Sequence, residues 1–200
     1  MLIVIEGISA AGKTTRAAQY APAVVPEVVC PAPSGDDAAV GEYWSARHTE
    51  RWLAGLALEQ THGTACFDTD PLKIHYAWCL WQTGHGTRAT WLATVQATRA
   101  RMLRREIGFA DVIVLLEPDE QQVREQQRQD TRRRRGNFAI NVQLQAPLRR
   151  WYALLESLAP GRVVFEGHRQ PHFAGGVPRE DRYSVDLLDA LVEATQTKTP

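Results

Sequence analysis

Apolar residues fall into two patterns along the chain, short uninterrupted runs and longer stretches with helical spacing. Runs rich in Val, Ile and Leu are typical of strands buried on both faces of a parallel sheet. Such runs predict strands at 2–6, 63–68, 111–117 and 162–166, with a fifth, weakened by Pro26, at 24–30. Apolar spacing of three and four predicts helices over 13–20, 43–60, 71–83, 87–107, 119–135, 145–158 and 184–196.

The order of these elements predicts the fold class. Strands alternate with helices, which indicates an α/β domain whose parallel sheet is covered by helices on both faces. The Pro-, Gly- and Asp-rich stretch 31–42 and the Gly-, Pro- and His-rich stretch 167–183 are predicted to be loops. Neither an internal repeat nor a linker divides the sequence, so we expect residues 1–200 to form a single domain.

A phosphate-binding motif lies between the first predicted strand and the first predicted helix. Gly7 is followed, after four residues, by Gly12-Lys13-Thr14, which is the spacing of a P-loop. Backbone N–H groups of such a loop face phosphate oxygens, the lysine reaches the β- and γ-phosphates, and the threonine hydroxyl binds Mg²⁺. We therefore expect ATP and Mg²⁺ to bind here. The predicted nucleotide-binding residues are Gly7, Ser9, Ala10, Ala11, Gly12, Lys13, Thr14 and Thr15.

Lysine usage strengthens the interpretation of this motif. The chain has three lysines beside twenty arginines, and one of these few lysines stands where the motif requires it. The apolar run that precedes Gly7 is also typical of the buried parallel strand after which a P-loop is found.

Charge and composition indicate which binding partners and which cellular compartment to expect. The 200 residues have a formal net charge of zero, so no general attraction to nucleic acid or to an anionic membrane is expected. The first apolar stretch is too short for a signal peptide or a membrane-spanning helix. Three cysteines without metal-type spacing are interpreted as reduced thiols, which favours a cytoplasmic protein. A homodimer is left open.

Two carboxylates, Asp68 and Asp70, follow the third predicted strand. Ligands of parallel sheets bind beyond the carboxyl ends of the strands, so both side chains are expected near the phosphate loop. Asp68 is the candidate for the base that accepts the acceptor's proton, and it is also a candidate ligand of Mg²⁺ together with Thr14. Asp70 either contacts the substrate or caps a helix that begins at Pro71. Lys73 is expected to pair with Asp70 or to reach a substrate phosphate.

An arginine-rich run follows the fourth predicted strand. Arg124, Arg128 and Arg132 are spaced by four residues and share one helical face. A charge run of this kind is usually a solvated surface, but phosphoryl transfer needs cations over the transferring phosphate. Arg128 and Arg132 are therefore candidate catalytic residues. The zero net charge argues against the alternative of nucleic-acid binding.

The chain resembles the P-loop nucleoside and nucleoside-monophosphate kinases, especially thymidylate kinases and deoxynucleoside kinases. The likeness rests on 7–15, on the acidic end of the third strand, and on the segment 110–130, ADVIVLLEPDEQQVREQQRQD. It implies a three-layer fold with a five-stranded parallel sheet in the order 2-3-1-4-5, and an Arg-rich lid at about 124–140 that closes over ATP. In this family the third strand usually ends in an acid followed directly by Arg, whereas here Thr69 follows. The segment 68–81, DTDPLKIHYAWCLW, matches no motif of the family.

The motif and the resemblance together predict an ATP- and Mg²⁺-dependent kinase. The γ-phosphoryl group of ATP would pass to a hydroxyl or phosphate of a nucleoside- or nucleotide-like small molecule. Lys13 would be the catalytic residue on the ATP side, and Asp68 the catalytic residue on the acceptor side. Aromatic side chains near the expected acceptor pocket favour a planar acceptor, with Tyr43 and Tyr76 as candidate substrate contacts. For Trp78 and Trp81, three residues apart on one helical face, packing in the core is favoured.

Two other functions remain open at the level of sequence. The same scaffold could phosphorylate an antibiotic or another secondary metabolite, because a fold does not define a substrate. A regulatory nucleotide-hydrolysing switch protein is the second alternative. A switch releases free phosphate, whereas a kinase forms a phosphorylated acceptor.

Overall fold

Five parallel strands form one sheet at the centre of the protein. The computed structural model describes residues 1–28, 33–118, 138–166 and 176–197. The strand order is β2-β3-β1-β4-β5, with parallel pairing throughout, so the predicted fold class and strand order are confirmed. The strands are β1 (Leu2–Glu6), β2 (Val24–Val25), β3 (Ala65–Asp68), β4 (Val112–Leu116) and β5 (Val163–Glu166).

Helices connect the strands, as crossover connections between parallel strands require. The α-helices within the described residues are α1 (Lys13–Tyr20), α2 (Asp37–His62), α3 (Ile74–Gln82), α4 (Arg88–Leu103), α5 (Phe138–Gln143), α6 (Gln145–Leu158) and α7 (Val185–Thr197). A 3₁₀ turn at Glu180–Tyr183 precedes α7 within the stretch predicted to be a loop. None of these described helices combines the length and the hydropathy that crossing a bilayer would need.

Several element boundaries differ from the sequence prediction, most clearly the following three. Helix α2 begins at Asp37, inside the predicted loop 31–42, because the Asp36 side chain accepts a hydrogen bond from the Ala39 N–H and caps the helix there. Strand β2 has only two residues, and Pro26, which has no N–H for a sheet ladder, follows it directly. Helix α4 ends at Leu103 rather than at 107. The predicted helix 119–135 lies outside the described residues.

The core is formed around the central strands and the long helix α2. All five residues of β1 and all four of β3 are buried. Phe67 of β3 stacks on Trp52 of α2 with ring centroids 6.0 Å apart. A Cβ atom at Gly55 would lie 2.1 Å from the Phe67 ring, so only glycine lets the helix approach the sheet this closely. This contact fixes α2 over β3 and hence beside the carboxyl end of the sheet.

A buried ion cluster holds the opposite end of the sheet together. Asp111, just before β4, accepts hydrogen bonds from the Leu2 N–H at 2.6 Å and from Arg182 Nε at 2.7 Å. The Arg182 guanidinium also donates to Glu59 of α2, at 2.9 Å from Nη1. The Asp111 and Arg182 side chains are 2% and 9% exposed. Strand β1, helix α2 and the 3₁₀ turn are therefore joined by one desolvated charge network.

We expect Arg182→Ala to lower the free energy of unfolding by about 3–5 kcal/mol, because it leaves a buried carboxylate without its cation. Arg99→Ala is the matched control, since Arg99 pairs with Asp189 in a surface contact whose side chains are 42% and 45% exposed. For the control we expect a change of at most about 1 kcal/mol. Urea denaturation followed by circular dichroism measures both. Equal losses in the two variants would contradict the importance of the buried cluster.

Candidate active site

The phosphate loop connects the end of β1 to the start of α1. Its backbone enters the left-handed region at Ala10 (φ 67°) and Gly12 (φ 84°), which curls the chain as phosphate binding requires. A Cβ atom at Gly7 would lie 3.0 Å from a carbonyl oxygen of β4, so the loop packs closely against the neighbouring strand. Lys13 folds back over the loop and donates from Nζ to the carbonyl oxygens of Gly7, at 2.8 Å, and Ile8, at 3.0 Å.

The ammonium group of Lys13 is held in a desolvated position. Burial lowers the pKa of Lys13, and the negative charge of nearby Glu6 acts in the opposite direction. Both residues line the cavity described below. A phosphate group brought into that cavity would meet a half-buried cation, and charge interactions there are stronger than in bulk water.

Thr14 and Asp68 meet beside the phosphate loop. Thr14 Oγ1 donates to Asp68 Oδ2 at 2.6 Å. Hydroxyl and carboxylate oxygens are ligands that Mg²⁺ prefers, and Mg²⁺ completes its coordination with water and phosphate oxygens. The pair therefore fits the expected Mg²⁺ site. Among the described residues no group of three His, Cys, Asp or Glu side chains is arranged to hold a metal ion by itself, so the fit is to an ion held largely by phosphate and water.

Asp70 is enclosed within the protein and does not line the cavity. Its side chain accepts hydrogen bonds from the Leu72 N–H at 2.9 Å and from the Tyr152 hydroxyl at 3.0 Å. The residue is 3% exposed. Helix α3 begins only at Ile74, so the predicted helix start at Pro71 is wrong. Asp70 stabilises a turn between β3 and α3, because its carboxylate binds a backbone N–H two residues further on.

A cavity of about 640 Å³ opens beside the phosphate loop. The loop forms one wall, while the segment after β2, helices α2 and α3, and the start of α4 form the others. The polar and ionisable residues that line it include Glu6, Ser9, Lys13, Glu27, His48, Thr69, Lys73 and His75. The cavity is large enough for a small organic molecule next to the nucleotide phosphates, because small-molecule sites have volumes of about 300–1,000 Å³.

An ion pair between Glu27 and Lys73 forms part of the cavity wall. The side chains are 31% and 17% exposed, so the pair is partly desolvated. Lys73 thus pairs with Glu27 and not with Asp70, which corrects the sequence prediction. Burial raises the pKa of Glu27, but the Lys73 ammonium outweighs burial, so the pKa is lowered and the carboxylate is ionised at neutral pH. Sequence analysis missed Glu27, because the predicted strand 24–30 included it, whereas β2 ends at Val25 and leaves Glu27 two residues beyond the strand.

Aromatic and imidazole rings form part of the cavity wall. Trp44 and His48 of α2 stack with centroids 5.9 Å apart and an interplanar angle of 16°. Burial, with a further contribution from the charge of Lys73, lowers the pKa of His48 to about 3, so its ring is neutral. Tyr76, a predicted substrate contact, lines the cavity, whereas Tyr43 does not, and its neighbour Trp44 does. These flat side chains give the cavity a surface suited to a planar ring.

The remaining predictions concern the core tryptophans and the arginines. Trp78 is fully buried, which confirms its predicted packing in the core, and Trp81 is half-buried and stacks on Trp91 with centroids 5.2 Å apart. Arg128 and Arg132 lie outside the described residues, as does most of the lid predicted at about 124–140. Their catalytic roles stay predictions.

No protein-family model and no curated protein matches the chain, but solved structures do. Two structures of deoxyadenosine kinase from M. mycoides, with bound dCTP and dATP, are similar with TM-scores of 0.57 and 0.56 and sequence identities of 10% and 11%. Each match covers 99% of this chain and 100% of the other. Thymidylate kinase from Candida albicans is similar with a TM-score of 0.51 and 15% identity, over 98% of this chain and 91% of the other. The predicted resemblance to nucleoside and thymidylate kinases is thus confirmed at the level of the fold.

Proposed function

We propose that the protein is an ATP- and Mg²⁺-dependent kinase that phosphorylates a hydroxyl group of a small, ring-bearing molecule, with a nucleoside as the leading acceptor. One observation carries the proposal. The phosphate loop, with the Lys13 ammonium, and the Glu27 carboxylate line the same cavity of about 640 Å³. A donor phosphate and an acceptor hydroxyl can therefore meet in one enclosed space. The fold likeness to nucleoside and thymidylate kinases supports this conclusion.

On the donor side, the loop N–H groups and Lys13 bind the β- and γ-phosphates. Thr14 and Asp68 would hold Mg²⁺, which when bound would neutralise charge on the phosphate oxygens. Phosphoryl transfer has a loose transition state, so positioning and charge stabilisation account for most of the catalysis. Lys13 contributes to both, because its ammonium is desolvated and fixed by two carbonyl oxygens.

On the acceptor side, Glu27 is better suited than Asp68 to receive the proton. Glu27 lines the cavity, whereas Asp68 already accepts a hydrogen bond from Thr14 and does not line the cavity. An ionised carboxylate accepts hydrogen bonds only, and so it orients an acceptor O–H toward the γ-phosphorus. The acceptor oxygen bonds to phosphorus, the bond to the β–γ bridging oxygen breaks, ADP leaves, and the hydroxyl proton passes to Glu27.

The charges of the cavity favour a hydroxyl acceptor over a phosphate acceptor. Among the cavity-lining residues that the structure describes, the cations are Lys13, on the donor side, and Lys73, which is paired with Glu27. Arg51 lies nearby but donates from Nη2 to the backbone carbonyl oxygens of Asp68, at 2.6 Å, and Thr69, at 3.0 Å. An acceptor monophosphate would need a cation that is not already engaged. The stacked Trp44–His48 wall suits a planar base.

A mass-spectrometric screen with Mg-ATP tests the proposed activity. We expect a nucleoside to gain one phosphoryl group, and nucleoside monophosphates to react more slowly. Hydroxylated natural products are included to test the alternative of a secondary-metabolite kinase. Free phosphate without any phosphorylated acceptor would instead indicate a nucleotide-hydrolysing switch and would contradict the proposal.

Lys13→Ala should abolish transfer while the fold stays intact, because the change removes charge stabilisation at the phosphates rather than core packing. Turnover with the confirmed acceptor measures the effect, and circular dichroism checks the fold. Lys198→Ala is the matched control, since it also removes a lysine, one that is not part of the phosphate-loop motif. A Lys13→Ala variant with wild-type turnover would show that the phosphate loop has another role.

Two carboxamide variants separate the roles of the carboxylates. Glu27→Gln should lower kcat by about 10²- to 10⁴-fold, the usual contribution of a positioned base. Asp68→Asn should raise the Mg²⁺ concentration needed for half-maximal activity, because it weakens an oxygen ligand. Glu50→Gln, a change at a surface ion pair with Arg47, should alter neither quantity. A large loss of kcat in Asp68→Asn, with Mg²⁺ dependence unchanged and only a mild effect of Glu27→Gln, would make Asp68 the base.

A further inference from the structure

A buried cluster of polar side chains adjoins the cavity, which Glu6 and His75 also line. Glu6, Asp70, His75 and Tyr152 are 3%, 3%, 2% and 0% exposed. They come from four parts of the chain: the end of β1, the turn after β3, α3 and α6. Four polar groups in a dry interior are costly unless they satisfy each other, so such a cluster needs a physical reason. The proposed chemistry uses none of them.

Glu6 joins the two loops that flank the reaction space. Its Oε1 accepts a hydrogen bond from the Gly7 N–H at 2.8 Å, and Gly7 is the first residue of the phosphate loop. Its Oε2 accepts a hydrogen bond from the Asp70 N–H at 2.9 Å, in the turn after β3. Burial would raise the pKa of Glu6, but hydrogen bonding and charge from His75, with charge from Lys13, lower it to about 2. One ionised carboxylate thus holds both loops.

His75 contacts the Glu6 carboxylate, and Tyr152 contacts the carboxylate of Asp70. His75 Nε2 lies 3.3 Å from Glu6 Oε2, and His75 Nδ1 lies 3.3 Å from the Tyr152 hydroxyl oxygen. The Tyr152 hydroxyl donates to Asp70 Oδ2 at 3.0 Å. The four residues therefore close a ring of contacts, in which the Asp70 backbone N–H makes the link to Glu6 and side chains make the other three links.

The turn from Thr69 to Lys73 is strained and depends on such support. Thr69 (φ 71°) and Lys73 (φ 46°) both adopt the left-handed region, which is unfavourable for residues with a Cβ atom and most of all for β-branched threonine. Asp70 binds the Leu72 N–H inside the turn, and Glu6 binds the Asp70 N–H from outside. Strained backbone of this kind persists only where the surroundings hold it. The turn presents Lys73 to Glu27 at the cavity wall.

We propose that His75 and Tyr152 are positioning residues that, through Glu6 and Asp70, fix the phosphate loop against the acceptor-facing turn 69–73. This inference rests on the proposed function, because it assigns the turn to the acceptor side of the reaction. The cluster sets the separation between donor phosphate and acceptor hydroxyl, and small errors in that separation slow a reaction between two bound molecules strongly.

Two variants remove single polar groups with little loss of packing. Tyr152→Phe deletes one hydroxyl, and His75→Phe replaces the imidazole while keeping a ring against Trp151 and Tyr152. Tyr183→Phe is the matched control, because it also deletes a tyrosine hydroxyl, one that lies 3.4 Å from Trp52 Nε1 and away from the phosphate loop. All three variants are expected to have slightly lower Tm values, so stability alone cannot separate positioning from packing.

The first readout is spectroscopic and does not require activity. Amide protons that donate to a charged carboxylate make short, strong hydrogen bonds. In ¹H–¹⁵N spectra we expect the Gly7 and Asp70 amide signals to move upfield in His75→Phe and, by less, in Tyr152→Phe, and to stay unchanged in Tyr183→Phe. Unchanged Gly7 and Asp70 signals in Tyr152→Phe and in any folded His75→Phe protein would overturn the inference.

The second readout is kinetic. We expect kcat to fall about 10-fold in Tyr152→Phe, the effect of losing one hydrogen bond to a charged group, with KM for ATP within about 2-fold of wild type. Tyr183→Phe should keep wild-type kcat. Shifted amide signals with unchanged kcat would also overturn the positioning role. If the wild-type protein transfers no phosphoryl group, the proposed function fails, and the amide signals still decide whether His75 and Tyr152 hold the two loops.

Discussion

The parallel pairing of β1 with β3 is the constraint on which the candidate site depends. Ile5 lies opposite Asp68 in this ladder, so β1 delivers the phosphate loop and β3 delivers a carboxylate at the same edge of the sheet. Successive residues of a strand face opposite sides, so a slip of one residue would turn Asp68 away from Thr14. Continuous apolar runs specify register weakly, because every position is buried. The hydrogen bond from the Asp70 N–H to Glu6 adds a polar contact that only this register satisfies.

Charge balance explains how so many ionised groups can share one small region. Among the described residues that line the cavity, two glutamates, Glu6 and Glu27, are matched by two lysines, Lys13 and Lys73. Each ammonium is close to a carboxylate, which offsets part of the cost of removing it from water. A bound nucleotide adds several negative charges to this neutral set. Its binding therefore depends on the loop N–H groups and on added cations, for which Mg²⁺ and the arginines of 124–135 are the candidates that the sequence offers.

The sequence predicted the parts of the molecule that are encoded locally. Apolar runs identified the strands, and the spacing of Gly7, Gly12 and Lys13 identified the phosphate loop, because both patterns reflect short-range backbone requirements. The pairing of Lys73 with Glu27 joins residues 46 positions apart and could not be read from spacing. The same holds for His75, whose partners Glu6 and Tyr152 come from distant elements. The positions of Glu27, Lys73 and His75 in the cavity wall thus depend on tertiary packing, and no local motif in the sequence encodes them.

The segment 68–81 matches no family motif, and the turn at its start gives a physical reason for this difference in sequence. In the kinases that the chain resembles, an arginine usually follows directly after the acid that ends the third strand. Here the next cation is Lys73, five residues after Asp68, and its backbone is in the left-handed region. An arginine guanidinium binds a carboxylate through two parallel hydrogen bonds and occupies both oxygens. The Lys73 ammonium is a point charge, and it donates to Glu27 Oε1 alone. Lys73 therefore leaves Glu27 Oε2 for an acceptor hydroxyl, which is what the proposed reaction requires of this carboxylate.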